Sequence, residues 1–379
     1  MSFKFKLSEL YPVKAIYRMS LRKIGFTLFF GFAFLINFGF ASDSLARRMN
    51  VLIVPSIYYT PDTRWGFGGA GALSFYWKKD RVRKYKSNFS FGVSYTQNKQ
   101  VLSYIPYQFY FEQNKYWLLG ELGYYRYVFN YYGIQSPPQN DYLEKYSANL
   151  IRIRINASKK IRDGLYLGLK YSADDFRFTK KDTSSLLFSQ YIIGNKNGNT
   201  SGIGLIFLMD HRNQVNYPSK GFIAESGFTV DQPLWGSDFH FVKFNLDFAR
   251  YMKLYKSLIM AAGFSLQMSS NGVPFHQMST LGGSRRLRGY YDGRFRDQHG
   301  ILSQIEFRVP LFYRFKLALF GGVGTTWSRH SRWDELYTIY NYGLGLRILF
   351  DKDAQQHLRL DYGWGIQSKG FYLTVSEAF

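Results

Sequence analysis

The chain has 379 residues, no cysteine, 20% aromatic side chains and a formal charge of +23. Zero cysteines exclude disulfides and thiolate metal sites. The positive charge is spread along strand-like runs with no compact basic helix, which argues against nucleic-acid binding.

In chain order the first predicted element is a leader. Lys4, Lys6, Lys14, Arg18, Arg22 and Lys23 precede an uncharged apolar run, Ile24–Ala41, that ends in Gly39-Phe40-Ala41. A basic start, an apolar middle and a small-residue cleavage site predict a signal peptide over 1–41. A retained membrane anchor is the alternative, because the run is about long enough to span. No later apolar run approaches that length, so the exported domain, 42–379, is either soluble or crosses a membrane as strands.

Past the leader the dominant feature is a period of two. Ile151, Ile153 and Ile155 alternate with Arg152, Arg154 and Asn156; Val242, Phe244, Leu246 and Phe248 alternate with Lys243, Asn245 and Asp247. Likewise Ile305, Phe307 and Val309 oppose Gln304, Glu306 and Arg308, and Leu358, Leu360 and Tyr362 oppose Arg359, Asp361 and Gly363. A soluble sandwich alternates in the same way. Here, however, the runs suit a tilted crossing of about 9–11 residues, with aromatic residues near their ends. Lipid offers no partner to an open sheet edge. The expected fold class is therefore all-β, a single antiparallel transmembrane β-barrel.

Sixteen strand cores are predicted, at 51–60, 66–78, 86–97, 100–111, 114–127, 144–159, 163–176, 199–209, 221–231, 237–252, 256–269, 298–311, 314–327, 337–350, 355–367 and 370–379. An even count puts both ends of the barrel on the inner side. The long connections 128–143, 177–198 and 270–297 then face outward, and 210–220 is an exceptional long inner turn. The connection after the eleventh strand holds LGGSRRLRGYYDGRFRD, residues 281–297. Its Arg294, Arg296 and Asp297 are expected to form an ion cluster.

Within that loop, Leu287-Arg288-Gly289-Tyr290 resembles the (V/I/L/M)-R-G-(F/Y) motif of the BamA/TamA-type outer-membrane barrel superfamily, the surface-antigen barrels. Further motifs extend the resemblance over essentially the whole chain after the leader. Asp210-x-Arg212-Asn213 with Pro218-x-x-Gly221 is similar to the family's inner turn, and Gln304–Arg308 to its twelfth strand. Leu360–Gly363 resembles its final hairpin, and Phe371, Leu373, Val375 and Phe379 its C-terminal insertion signal. The resemblance implies a sixteen-stranded barrel whose outer loop 6 folds into the lumen. It also implies that Arg288 pairs with acids of the inner wall, for which Glu306, Asp361 and Asp247 are the candidates.

Two departures stand out. The family's F-x-D-x-G element reads Phe320-Gly321-Gly322-Val323-Gly324, with glycine in place of the acid. If an ion pair is thereby lost, Gly322→Asp is expected to raise stability. The periplasmic POTRA repeats typical of the family are also missing, as in a short, barrel-only branch.

The resemblance implies an outer-membrane factor that helps to insert or translocate a polypeptide. Membrane lipid, an unfolded barrel or surface-protein client and a separate periplasmic or lipoprotein partner would be its contacts. A plugged, anion-favouring pore and an anchor for a surface protein are the alternative readings. Histidines are scattered and no nucleophile elbow is present. No enzyme activity, cofactor or metal is therefore expected.

Overall fold

The computed structural model describes residues 49–60, 64–77, 87–134, 143–180, 185–189, 191–255, 257–351, 355–375 and 377–379; the expected leader, 1–41, lies outside them. The strands are β1 Met49–Thr60, β2 Arg64–Phe75, β3 Ser87–Thr96, β4 Val101–Phe111, β5 Tyr116–Tyr131, β6 Glu144–Arg162, β7 Leu165–Lys180, β8 Gly198–Asp210 and β9 Gly221–Asp231. They continue with β10 Phe241–Tyr255, β11 Leu258–Ser269, β12 Ser279–Leu281, β13 Phe295–Asp297, β14 His299–Pro310, β15 Phe315–Trp327, β16 Ile339–Asp351, β17 Gln356–Gly365 and β18 Ser368–Val375. Sixteen of them form one antiparallel sheet in chain order, β1 to β11 followed by β14 to β18. The short β12 and β13 pair only with each other, inside the β11–β14 connection.

Period two becomes two faces. Ile151, Ile155, Leu167, Leu169, Ile203 and Leu205 are exposed outward, whereas Arg308, Arg347, Arg359, Glu306 and Asp361 are buried inside. This inverts a soluble protein and suits lipid as the outer solvent. The sheet is rolled: Glu377, just past β18, reaches Arg308 of β14 and Arg347 of β16, and Phe379 packs on Tyr251 of β10 and Ala261 of β11. The fold is an antiparallel transmembrane barrel with the β11–β14 loop in its lumen. Among the described residues β1 and β18 are not paired.

The last strand is shorter than predicted. It ends at Val375, and Phe379 lies in the lumen instead of on an outward strand face. Parity supplies the reason. Phe371 and Leu373 point outward, so two more pairs of residues in extended form would carry Glu377 into lipid, where a carboxylate is costly. Turning inward brings it to Arg347 instead.

Candidate functional site

The lumen is organised around the tip of the β11–β14 loop. Leu287 has φ +55° and Gly289 φ +114°, which turns the chain sharply enough to aim Arg288 at the wall. A Cβ on Gly289 would stand 2.9 Å from the Trp364 carbonyl carbon, so glycine is needed for the approach as well as for the turn. Tyr290 fixes the other side of the tip, its hydroxyl donating to the Tyr340 carbonyl at 2.7 Å and accepting from the Ile366 amide at 2.6 Å.

Arg288 is wholly buried. Its Nη1 lies 2.6 Å from Asp361 Oδ2 and 2.8 Å from Glu306 Oε2, and its guanidinium lies 3.4 Å from the centroid of the Phe320 ring. The two carboxylates do not serve Arg288 alone. Glu306 also accepts from Arg308 at 2.8 Å and Arg347 at 3.1 Å. Asp361 bonds Arg347 at 2.5 Å and faces Arg359 at 3.4 Å, and Glu377 bonds Arg347 at 2.9 Å. The result is a buried lattice of four arginines and three acids, in which planar donors meet planar acceptors. Removing one member breaks several buried ion pairs at once, which fixes the loop far more firmly than a surface pair would.

At Gly322 the family's acid has a replacement of another kind. A Cβ there would lie 2.8 Å from Asn341 Oδ1 and 3.0 Å from Gln304 Cγ, so two amide side chains fill the space. They grip the backbone of the loop. Asn341 donates to the Arg288 carbonyl at 2.6 Å, and Gln304 donates to the Arg285 carbonyl at 3.0 Å while accepting from the Leu287 amide at 3.3 Å.

Several expected contacts are not made. Asp247 lies on β10, facing a different part of the lumen, and meets Arg286 at 3.6 Å instead of Arg288. Arg294, Arg296 and Asp297 do not cluster, because alternation along β13 and the bend before it send them to different neighbours. Arg294 stacks on Tyr132 at 4.2 Å, and Arg296 donates to the Phe275 carbonyl at 2.9 Å. Asp297 accepts from the Gln298 amide at 2.8 Å, and burial pushes its carboxyl up to about 6.

A second anchor gave little signal in the sequence. Phe275, in the stem of the loop, is fully buried among Tyr131, Tyr146, Phe176 and Phe178. Gln277 Nε2 donates to Asp174 Oδ2 at 2.6 Å, and Asp174 is itself held by Arg154 at 2.7 Å and Arg152 at 3.2 Å. The loop is thus fastened to β5–β7 as well as to β14–β18. An apolar Val273-Pro274-Phe275 inside a polar loop was the available clue.

The inner turn closes the opposite mouth. Arg212 binds Asp210 through two bonds of 2.9 and 2.7 Å, and Asn213 Oδ1 accepts from the Ser219 and Lys220 amides at 3.0 Å. Gly221 has φ +96°. With Pro218 fixing the approach, the turn drives Tyr217 under the barrel, where its ring lies 5.2 Å from Arg308 and 4.3 Å from His357.

A sixteen-stranded membrane barrel with an arginine-tipped loop locked in its lumen defines a class of outer-membrane proteins. The particular family follows from comparison: residues 66–379 match the Omp85 superfamily domain, and the chain belongs to that superfamily. Omp85-type barrels reside in the bacterial outer membrane and take part in protein assembly or translocation there, as transport factors and not enzymes. Among solved structures, BamA from Haemophilus ducreyi lacking POTRA domains 1–3 is similar with a TM-score of 0.54 at 14% identity, over 87% of this chain and 70% of that one. CdiB from Acinetobacter baumannii gives 0.53 at 15% identity over 87% of this chain, and CdiB from Escherichia coli 0.54 at 11% over 86%. The chain spans 60% and 61% of the two CdiB chains. At these identities the likeness concerns the fold. No curated protein matches the chain.

Proposed function

We propose that this barrel helps to insert or translocate a polypeptide at the outer membrane, exported by the leader at 1–41 and working with a separate periplasmic or lipoprotein partner. The carrying observation is a contrast between a filled lumen and a weak edge. Loop 6, the inner turn and residues 377–379 occupy the interior, while β18 has 8 residues against 19 in β6 and lacks pairing with β1 among the described residues. An unpaired strand edge is a template for an incoming strand. In this reading Arg288 and its acids stiffen β14 and β17, the wall that leads up to the seam, while the stem of loop 6 holds β5–β7, and Phe371 and Leu373 belong to the barrel's own insertion signal.

A second reading, a plugged pore or docking barrel, is favoured by one observation. A cavity of about 250 Å³ beside the loop is lined by Arg154, Lys170, Lys243 and Arg286 as well as by three acids, an environment suited to small anions.

Depletion followed by an inventory of outer-membrane and surface proteins tests both. Loss of a defined subset, with precursors accumulating in the periplasm, is the outcome expected of an assembly factor. An intact inventory with altered small-solute uptake would overturn that reading in favour of the pore. An intact inventory with one surface protein released from cells would favour the anchor.

A further inference from the structure

The membrane-facing side of β5–β7 carries an unusual boundary. Two cross-strand rows mark its limits: Tyr116, Lys159 and Leu167 at the inner edge, and Arg126, Asn149 and Arg177 at the outer edge. The rows are ten residues apart along each strand, about 25 Å for strands rising about 3.3 Å per residue at a tilt near 40°, which is the height of the lipid-facing band. Between them the outward residues are mainly apolar, including Leu118, Leu122, Ile151, Ile153 and Leu169. The outer row therefore sits at the headgroups of the outer leaflet, with acyl chains directly beneath it.

Arg126 is exposed there and has no ion pair among the described residues. Arg177 is held at 2.6 Å by Asp175, which faces outward two residues below it, and one of its nitrogens lies 3.4 Å from Asn199 Oδ1. Those contacts orient the guanidinium across the face of the sheet. Asn149 lies between the two arginines, and Lys145 is exposed four residues further out on β6. Two strand spacings separate Arg126 from Arg177, about 10 Å. A single phosphate fits one such arginine, whereas two phosphates spread across a disaccharide fit both, with the disaccharide passing over Asn149 between them.

We propose that Arg126, Asn149 and Arg177 form a binding site for a glycolipid of the outer leaflet that carries two phosphates. The site pins the β5–β7 wall in the membrane on the side of the barrel where the stem of loop 6 is anchored. Basic side chains at the edge of an apolar band attract anionic headgroups in just this arrangement.

The test uses the purified full chain in detergent micelles, with bisphosphorylated lipid A, the same lipid stripped of phosphate, and phosphatidylglycerol as probes. Native mass spectrometry reads binding, and the melting temperature reads its effect on the barrel. Bisphosphorylated lipid A is expected to bind and raise the melting temperature, and the other two to do so weakly. The Arg126→Gln/Arg177→Gln double variant is expected to bind it about thirtyfold more weakly, from about 1 kcal/mol for each basic residue near a headgroup layer, while keeping its lipid-free melting temperature. Equal response to the dephosphorylated lipid or to phosphatidylglycerol overturns the proposal, as does undiminished binding by the double variant. Should the double variant fail to fold, the two single variants are compared, and unchanged affinity in both overturns it equally.

Discussion

The two walls of the lumen treat charge in opposite ways. Along β14–β18, four arginines and three acids are buried and interlocked, with Arg288, Glu306 and Asp361 showing no exposed surface. Along β6–β11, a polar cavity of about 250 Å³ is kept open, and among its lining residues Lys170 and Glu225 have no ion pair among the described residues. Space is the difference. Where side chains pack without a gap, an unpaired charge costs several kcal/mol and pairing is obligatory. Where a cavity of this size leaves room for water, a charge can stand alone. One wall therefore locates the loop, and the other leaves polar space beside it.

The largest break in this contrast comes from Arg288→Ala. It breaks the buried pairs with Glu306 and Asp361, which keep Arg308 and Arg347 as partners, and removes the loop's grip on β14 and β17. Breaking a buried pair costs about 3–5 kcal/mol. The expected result is a lower urea midpoint in detergent and new protease cleavage within 284–294, where wild type is protected. Phe275→Ala attacks the stem on the opposite wall and is expected to cost about 3 kcal/mol, as truncation of a buried aromatic does. If loop 6 is anchored twice, cleavage in this variant shifts to the stem near 271–278 and the tip stays protected. Cleavage at the tip in both variants would mean that the stem contributes no anchor of its own.

Asp297 gives a pH test of the same stem. Burial raises its carboxyl from 3.8 to about 6, so between those values the folded chain holds a proton that the unfolded chain has released. Stability contributed by this group is therefore complete at low pH and falls as pH rises from about 4 to about 6, by about 3 kcal/mol in total. The difference in urea midpoint between wild type and Asp297→Asn is expected to grow through that window in favour of the variant. A constant difference would show that the carboxylate is solvated.

Gly322→Asp is expected to lower stability by about 1–2 kcal/mol, reversing the expectation drawn from the lost acid. Its Cβ meets Asn341 Oδ1 and Gln304 Cγ, and overpacking of this kind is costly. Asn341→Gly added to Gly322→Asp should recover part of the loss by clearing the space and letting the new carboxylate approach the unpartnered Nε and Nη2 of Arg288. Thermal melts of the single and double variants decide this. No recovery in the double variant would separate the acid from the amide clamp.

What the sequence revealed follows from what has a period. Alternation shows which face is apolar, so the strands and their antiparallel order were legible within a few residues. Spacing shows which motifs recur, and this brought Arg288, Glu306 and Asp361 under one heading. Contacts across the lumen have neither period nor fixed spacing. Nothing in the neighbourhood of Phe275 announces four aromatic rings on β5–β7, and nothing beside Gly322 announces Asn341, which is nineteen residues further along. Likewise the inward turn at 377–379 is set by arginines on β14 and β16, so local alternation alone extends β18 too far.

The smallest expected effect lies on the wall with the cavity and is the sharpest test of the comparison. Lys170→Met removes a cation that has no ion pair among the described residues and faces the cavity beside Gly227, whose would-be Cβ lies 3.3 Å from Nζ. If that wall is hydrated, Lys170 retains much of its solvation, and its loss breaks no buried ion pair as Arg288→Ala does. Stability should then move by no more than about 0.5 kcal/mol, the usual range for substitutions away from buried networks. The change should instead appear in ion traffic. Removing one of four lining cations makes the cavity less attractive to anions, so any anion preference in planar-bilayer conductance should weaken while the melting curve stays in place. A loss of stability comparable to that of Arg288→Ala would mean that Lys170 is paired within a dry interior. The two walls would then be one continuous network, and the loop would be held by the whole lumen instead of by its two anchors.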